Sequence, residues 1–409
     1  MKKCHFFCIS LKKQFIFQKS CGIIENMKIL QVMDTYYPKI DGPNNVLTFY
    51  TENLNNIEGV DAEVVVPRTR NYVDVQKFVV RRVKSLPAVE GYEMGLAGFD
   101  RQLKKFLKNN KVDLIHIHSP FTMGRFFAKY GKKHNIPTVF TFHTAFKEDF
   151  ERILKLKWQQ NFMMNYIMKT INMADHVLSV SNGAAEVLKS YGYQKPIRVI
   201  RNGTDFVYPD NAEELKAQIN QQYGLKEDDL VFLSAGRVVQ NKRLDVLVDA
   251  MKILKDKGIK FKFFVVGDGV YREELMAKTT ALGLDDCVVF TGRLPERSDM
   301  VPYYLRANLF LFPSTFDTAS LVPLEAGAMK VPTMLTEGAP TAEIVVDNQN
   351  GYVAGQTAED WAKRIEEVIS NRNALESMRE VCYKEVYKTW KDVVDEVYAF
   401  YQDILKNKK

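Results

Sequence analysis

Residues 308–329, Asn308-LFLFPSTFDTASLVPLEAGA-Met329, combine an apolar run with the start of a helix. The run at 309–312 is closed by Pro313, which predicts a buried strand that ends in a loop. Ser320 is the predicted N-cap of the following helix, because serine is a favoured capping residue. Pro323 is tolerated in a first turn, and the later apolar residues fall on one face of the helix. The unpaired backbone N–H groups of such a helix start can hold a phosphate.

Two carboxylates flank the predicted helix start. Asp317 lies in the loop, and Glu325 lies about one turn into the helix. A ligand that crosses the helix start could therefore be hydrogen-bonded at two separate places. The alternative is that Asp317 caps a turn and that Glu325 is a solvated helix residue.

Apolar strands alternate with helical stretches along the rest of the chain, which predicts parallel sheets. The predicted strands lie at 27–33, 62–67, 112–118, 138–142, 176–180 and 197–200, and then at 230–236, 261–267, 287–292, 307–312 and 331–335. The 409 residues exceed the size of a usual single core. We therefore predict an α/β protein of two Rossmann-like, doubly wound domains that face each other across a cleft, with ligands at the carboxyl ends of the strands.

The predicted domain boundaries follow this alternation. We predict a first domain over residues 27–205 and a second over residues 206–385. Residues 386–409 are predicted to form a helix that packs back towards the first domain. Residues 1–26 are expected to be an unstructured extension, with Met27 as the functional start. Their apolar core is broken by Lys12, Lys13 and Lys19, unlike a signal peptide.

Charge is distributed unevenly. Residues 1–205 carry 31 Lys and Arg against 18 Asp and Glu, whereas residues 206–409 carry 26 against 32. The basic first half is expected to face an anionic partner, and an anionic membrane surface is favoured because no nucleic-acid-binding motif is present. No apolar run reaches the roughly 18 to 20 residues of a membrane-spanning helix. Five scattered cysteines fit neither a disulfide framework nor a zinc site, so we expect a reducing, cytoplasmic location, with peripheral contact at the inner face of the membrane.

Cations and histidines follow several predicted strands. Arg237 could bind a phosphate through two hydrogen bonds and Lys242 could add a point charge, a pair that would stabilise a departing diphosphate without metal; a solvated turn is the alternative. His118 and His143 each end a strand and are expected to line one cleft, although a structural role is common for such residues. His116 is expected to face the other way.

Eight motifs in order give the chain a strong resemblance to family 4 glycosyltransferases of the GT-B fold. They are a glycine loop after the first strand, HIH, TFHT, SVSNG, RNGTD, GRVVQNKR, VVGDG and FPSTFDTASLVPLEAGA with a later NGY. The resemblance implies transfer of a hexose from a nucleotide diphosphate sugar to a hydroxyl acceptor, with retention of configuration and without a bound metal or other cofactor. The nucleotide-sugar donor would lie mainly on the second domain, residues 206–385, and the acceptor would bind the first domain, residues 27–205.

The resemblance also assigns roles to residues. Arg237 and Lys242 match the diphosphate-binding pair, and Asp317 and Glu325 match the two acids of an E-x7-E motif. The second acid would hold the ribose hydroxyls and the first would contact the donor sugar. The resemblance further places Gly42 beside the diphosphate, where Leu321 and Val322 would contribute backbone N–H groups. Ser320 would lie in the donor site. His143 would lie near the transferred sugar, and His118 would lie on the acceptor side.

Three positions depart from the family pattern: Asp317 is one methylene shorter than Glu, Ala319-Ser320 replaces aromatic-Gly, and Asp41-Gly42 replaces Gly-Gly. A UDP-sugar is the favoured donor, followed by a GDP-sugar. The acceptor is expected to be a glycolipid or a cell-envelope polysaccharide precursor. Two rival interpretations are a catalytically silent, sugar-nucleotide-binding subunit of a glycosylation complex and a GT-B nucleotide-sugar epimerase.

Overall fold

The computed structural model describes residues 27–39, 42–88, 93–143 and 145–408. The predicted extension at 1–26 and Asp41 of the glycine loop lie outside the described residues. In chain order, the first half contains β1 (Met27–Val32), α1 (Gly42–Asn55), β2 (Val60–Pro67), β3 (Val80–Val83), β4 (Ser85–Pro87), β5 (Glu93–Gly95), α2 (Arg101–Asn109), β6 (Leu114–Ile117), α3 (Thr122–His134), β7 (Thr138–Phe142), α4 (Phe146–Ile153), α5 (Lys157–Ile171), β8 (His176–Ser179), α6 (Asn182–Ser190) and β9 (Ile197–Val199).

The second half repeats the alternation of helices and strands and ends in three helices. Its elements are α7 (Ala212–Tyr223), β10 (Val231–Ala235), α8 (Leu244–Asp256), β11 (Lys262–Val266), α9 (Arg272–Ala281), β12 (Val288–Gly292), α10 (Val301–Arg306), β13 (Leu309–Phe312), α11 (Val322–Ala328), β14 (Thr333–Thr336), β15 (Tyr352–Ala354), α12 (Ala358–Ser370), α13 (Arg372–Glu385) and α14 (Trp390–Asn407).

Two parallel sheets organise these elements. The first has the strand order β3-β2-β1-β6-β7-β8-β9, and the second has the order β12-β11-β10-β13-β14-β15. In each sheet the strand order reverses beside the first strand of its unit, which is where doubly wound proteins bind ligands. The predicted α/β class with two Rossmann-like units is confirmed.

The sequence pattern missed four short strands, β3, β4, β5 and β15, although it predicted the short edge strand β9. β15 has three residues and β3 has four, and β4 and β5 form a small antiparallel pair. Strands of three or four residues are too short to show a clear alternation of apolar and polar residues.

Helix α14 leaves the second unit and packs against the first. Thr389 caps it through a reciprocal pair of hydrogen bonds with Asp392. Its buried face packs with strands β1, β6 and β7 and with α1, where Phe49 stacks on Trp390 with ring centroids 5.2 Å apart. The residues of this face are Trp390, Val393, Val394, Val397, Tyr401 and Ile404. Their spacing of three and four positions makes one stripe, which explains why the helix docks along its length.

Candidate functional site

The two predicted cations line one pocket at the carboxyl end of β10. Arg237 follows this strand, and Lys242 ends a short 3-10 helix, so both side chains lie beside Phe312 and Pro313 at the end of β13. Arg237 is exposed, and within the described residues its side chain forms no hydrogen bond or ion pair. An unpaired guanidinium in a pocket at this edge of the sheet can bind an anionic group through two hydrogen bonds.

The charge of Lys242 is balanced by Asp317. The lysine Nζ lies 2.5 and 2.6 Å from the two carboxylate oxygens of Asp317. Thr341 donates its hydroxyl to the backbone carbonyl of Asp317 at 2.7 Å, which fixes the loop after β13. The shorter acidic side chain therefore still reaches the cation, so an incoming diphosphate must share this lysine with a carboxylate.

The loop after β13 connects this pocket with the first sheet. Thr318 donates its hydroxyl to the backbone carbonyl of His143 at 2.7 Å, and Ser181 donates to the carbonyl of Thr318 at the same distance. Because Thr318 directly follows Asp317, these bonds hold His143 beside the Lys242 pair. Residues from both sheets thus meet at one site.

His143 is paired with His118 within the first unit. The Nε2 of His143 lies 3.0 Å from the Nδ1 of His118, and the two rings stack with centroids 5.2 Å apart. Burial lowers the pKa of His143 to about 3, and burial together with the two neighbouring histidines holds the pKa of His118 well below its usual range. Both imidazoles are therefore neutral at pH 7.

The expectation that His116 faces away from His118 is wrong. The centroids of these two rings are 4.1 Å apart, on the same side of the sheet. The reason is the strand period of two, which returns side chains i and i+2 to one face.

Glu325 lies in a second, buried cluster. This residue is 3% exposed, so the alternative of a solvated helix residue is wrong. One carboxylate oxygen accepts from Arg297 at 2.6 Å, the other accepts from the Tyr304 hydroxyl at 2.9 Å, and Arg297 also donates to Asp205 at 2.7 Å. Burial raises the pKa of the Glu325 carboxyl, while Arg297 and Tyr304 oppose that increase. Each oxygen keeps a further lone pair that could accept from a ligand hydroxyl.

The start of α11 differs from the prediction. The helix begins at Val322 with Leu321 at the N-cap position, and Ser320 makes no capping hydrogen bond. Leu321 has a helical backbone conformation and is buried between the two units, which turns the chain before the hydroxyl of Ser320 can reach the helix N–H groups. Gly42 is the first residue of α1, and open space surrounds the position of a Cβ there.

Sequence reasoning missed three residues of these clusters. Thr318 lies in the quoted stretch, but its contact with His143 spans 175 positions. Arg297 and Tyr304 lie 28 and 21 positions before Glu325 and carry no motif of their own. The only available signal was Glu325 itself. Its helix position proves to be buried, and a buried carboxylate requires hydrogen-bond or ionic partners.

No group of three or more His, Cys, Asp or Glu side chains is placed to hold a metal ion in the parts of the chain that the structure describes. Likewise, none of the described helices has the length and apolar character required to cross a membrane.

Two family models match the chain. The model described as Glycosyltransferase Family 4 matches residues 40–207, and that described as Glycosyl transferases group 1 matches residues 213–388. The chain belongs to glycosyltransferase family 4. The predictions of a family 4 member and of a glycosyltransferase enzyme are confirmed.

This family 4 glycosyltransferase is similar in sequence to two named synthases and in fold to a solved structure. The alpha-monoglucosyldiacylglycerol synthase of Streptococcus pneumoniae is 27% identical over 317 residues, which cover 75% of this chain and 70% of that protein. The protein of the same name from Acholeplasma laidlawii is 23% identical, with 94% of this chain and 99% of the relative covered. The crystal structure of Anabaena HepE in complex with UDP superposes with a TM-score of 0.73 at 17% identity, over 92% of this chain and 100% of the other. The predicted GT-B fold is confirmed.

Proposed function

We propose that this glycosyltransferase moves a hexose from a UDP-sugar to a hydroxyl group of a lipid-linked acceptor, with retention of the anomeric configuration. The observation that carries the proposal is the pocket of Arg237 and Lys242, which one loop joins to His143 of the first unit. Nucleotide binding in the second unit and acceptor binding in the first would place the reacting groups at this junction. A UDP-sugar is favoured because two relatives are named for a glucosyl lipid and the Anabaena protein was crystallised with UDP.

The chemistry follows from the charges at the junction. The acceptor oxygen forms a bond to the anomeric carbon on the same face from which the bond to the β-phosphate oxygen breaks. The acceptor proton passes to a β-phosphate oxygen, and UDP leaves. Arg237 and Lys242 stabilise the negative charge that grows on the β-phosphate, and closure of the two units excludes water and orients the reactants.

The remaining family-assigned residues surround this reaction in the proposal. Glu325 accepts hydrogen bonds from the ribose hydroxyls, with Arg297 and Tyr304 holding its carboxylate in place. Leu321 and Val322 present backbone N–H groups to the diphosphate, and Gly42 leaves room for it. Ser320 lies on the same loop and faces the donor.

Titration calorimetry with UDP-, GDP- and ADP-sugars tests the donor site. Arg237→Ala is expected to raise the Kd for the bound donor at least about tenfold, because a charge-assisted contact is worth roughly 1.5 to 3 kcal/mol. Arg293→Ala is a matched control, since Arg293 is also exposed and also follows a glycine at a strand end. Equal effects of the two substitutions, or the absence of binding by every donor, would contradict the proposal.

Analysis of the sugar product then separates the transferase from its rivals. NMR of the product should show an α-linked sugar from an α-linked donor, with one UDP released per acceptor consumed. A β-linked product refutes retention. A sugar epimerised at C2 without consumption of the acceptor would identify an epimerase instead.

The lipid-linked acceptor is supported by an exposed apolar patch on the first unit. Leu156, Trp158 and Phe162 are 51%, 66% and 63% exposed around the start of α5. The exposed Lys155 and Lys157 lie between and beside them. Aromatic and aliphatic side chains with adjacent cations are typical of surfaces that lie in the headgroup region of anionic membranes. We infer that the protein works at the inner face of the cell membrane.

Sedimentation with lipid vesicles tests the membrane contact. Vesicles that contain phosphatidylglycerol should retain the protein, and vesicles of phosphatidylcholine alone should retain much less. The double variant Trp158→Ala, Phe162→Ala is expected to lose most of this binding, whereas Val270→Ala, at a 96% exposed site in the second unit, should bind as the wild type does. Equal retention of the three proteins would exclude this patch as the contact.

A further inference from the structure

A buried chain of hydrogen bonds leads from His143 to the C-terminal helix. Beyond the contact between His143 and His118, the Nε2 of His118 lies 2.7 Å from the Oε1 of Gln31. The amide nitrogen of Gln31 then donates to the hydroxyl of Tyr401 at 3.4 Å. Gln31 lies on β1 and Tyr401 lies on α14, so the chain joins residues 370 positions apart.

The chain continues from Tyr401 to the interior of the first sheet. The Tyr401 hydroxyl lies 2.5 Å from the Nδ1 of His116, and the Nε2 of His116 lies 2.6 Å from the hydroxyl of Thr141. Gln31, His116 and Tyr401 are fully buried, and Thr141 is nearly so. His143 is the half-buried end of the chain, beside the proposed site.

The Gln31 amide, with its Oε1 towards His118 and its nitrogen towards Tyr401, gives this chain a direction. Burial lowers the pKa of His116 and His118 well below the usual range, so each ring carries one N–H and one lone pair. The Oε1 of Gln31 can only accept, so His118 carries its proton on Nε2 and accepts at Nδ1. His143 must therefore donate from Nε2, and its Nδ1 keeps the lone pair.

The other half of the chain is consistent with this direction. Tyr401 accepts from the amide of Gln31 and donates its own proton to the Nδ1 of His116. His116 then donates from Nε2 to Thr141. Each group between His143 and Thr141 thus has a donor matched with an acceptor, so the hydroxyl of Tyr401 holds the amide of Gln31 in the orientation that fixes the two histidines.

We propose that Tyr401, acting through Gln31 and His118, is a positioning residue that holds His143 as the Nε2–H tautomer and leaves its Nδ1 as a hydrogen-bond acceptor for a hydroxyl group of the bound sugar. This inference rests on the proposed function, in which His143 lies beside the transferred sugar. The Nδ1 of His143 has no partner among the described residues. Because burial lowers the pKa of His143 to about 3, the ring is neutral at pH 7 and its Nδ1 is too weak a base to take up a proton, so it orients a hydroxyl group and does not act as a general base.

The consequence is that the last helix of the chain supplies a part of the first unit's site. Tyr401 contacts no reacting group, and its ring packs edge-on against His116 with centroids 5.8 Å apart. Removal of its hydroxyl should leave this packing in place and free the Gln31 amide to rotate. The His143 tautomer would then no longer be fixed.

Nitrogen-15 NMR of histidine-labelled, full-length protein without substrate tests the proposal directly. The wild type should show His143 as the Nε2–H form, and Tyr401→Phe should show a mixture of both tautomers. Tyr398→Phe is the matched control, because Tyr398 is half-buried on the same helix and its hydroxyl makes no hydrogen bond within the described residues. Gln31→Met breaks the same chain at a second place and should reproduce the mixture, including if Tyr401→Phe does not fold.

Kinetics provide a second measurement. Tyr401→Phe is expected to lower kcat about tenfold, the loss expected for one ordered hydrogen bond, while the KM for the donor stays within about twofold. A wild-type His143 in the Nδ1–H form, or a spectrum unchanged in both variants, overturns the proposal. The spectrum needs no substrate, so a protein that transfers no sugar but shows the expected tautomers would refute the proposed function alone.

Discussion

Loss of Arg297 provides a quantitative test of the buried carboxylate cluster. Glu325 is 3% exposed, and Arg297 is its only cationic partner among the described residues. Arg297→Met keeps much of the side-chain volume and removes the charge. Breaking a buried ion pair from one side leaves an uncompensated charge, which typically costs about 3 to 5 kcal/mol.

The Glu325 carboxyl can avoid this cost by taking up a proton, and the cost of protonation therefore limits the loss of stability. Protonation at pH 7 of a group with an ordinary pKa of 4.5 costs about 3.5 kcal/mol, at about 1.4 kcal/mol per pKa unit. The side chain of Arg297 is 38% exposed, so water already screens part of the attraction. We therefore expect Arg297→Met to lower the free energy of unfolding by about 2 kcal/mol at pH 7.

The same reasoning fixes the pH dependence. In the variant, the folded-state pKa of Glu325 rises further above its unfolded value. Below the unfolded pKa the carboxyl is protonated in both states, so the loss of Arg297 costs little there, and the destabilisation grows as the pH rises. The difference from the wild type should therefore shrink to under about 1 kcal/mol at pH 5.

Urea unfolding at both pH values measures these differences. Arg293→Met serves as a control, because Arg293 is exposed and without a partner in the described chain. Glu325→Gln added to Arg297→Met should recover part of the loss at pH 7. A loss below about 0.5 kcal/mol at pH 7, or one that is equal at the two pH values, would refute the reasoning.

Three further predictions concern other contacts. Burial depresses the pKa of His116, His118 and His143, so the unfolded state binds more protons as the pH falls through 6.5. Stability should therefore fall by about 4 kcal/mol between pH 7.5 and pH 5.5, and urea unfolding of His116→Asn should show about two thirds of this dependence. Asp317→Asn should tighten UDP binding about fivefold in calorimetry, because it removes an ion pair worth roughly 1 kcal/mol and frees Lys242 for the diphosphate. Weaker UDP binding by this variant would contradict the prediction. Glu343 accepts from the first two N–H groups of α6 at 2.9 and 2.7 Å, so Glu343→Ala should speed hydrogen exchange there, unlike Glu337→Ala at an exposed site.

The sequence predicted the elements whose pattern is local. Strand β13 and its neighbours are continuous apolar runs that stay buried on both faces, so their position follows from a few consecutive residues. The cations after β10 were also predictable, because a strand end places the next residues at the edge of the sheet. In contrast, the prediction of Ser320 as the N-cap of α11 was wrong, because the burial of Leu321 outweighed the local capping preference of Ser320.

By itself, the sequence determined the two α/β units and the positions of Arg237, Lys242 and Glu325 near strand ends and a helix start. Only the tertiary structure decided the partners of these charges, such as Asp317 for the lysine, 75 positions away. The same holds for the chain from Tyr401 to His143, which depends on how α14 docks on the first sheet. The physical reason is that periodicity records which face of an element is buried, whereas the pairing of two polar groups depends on the packing of elements that are distant in sequence.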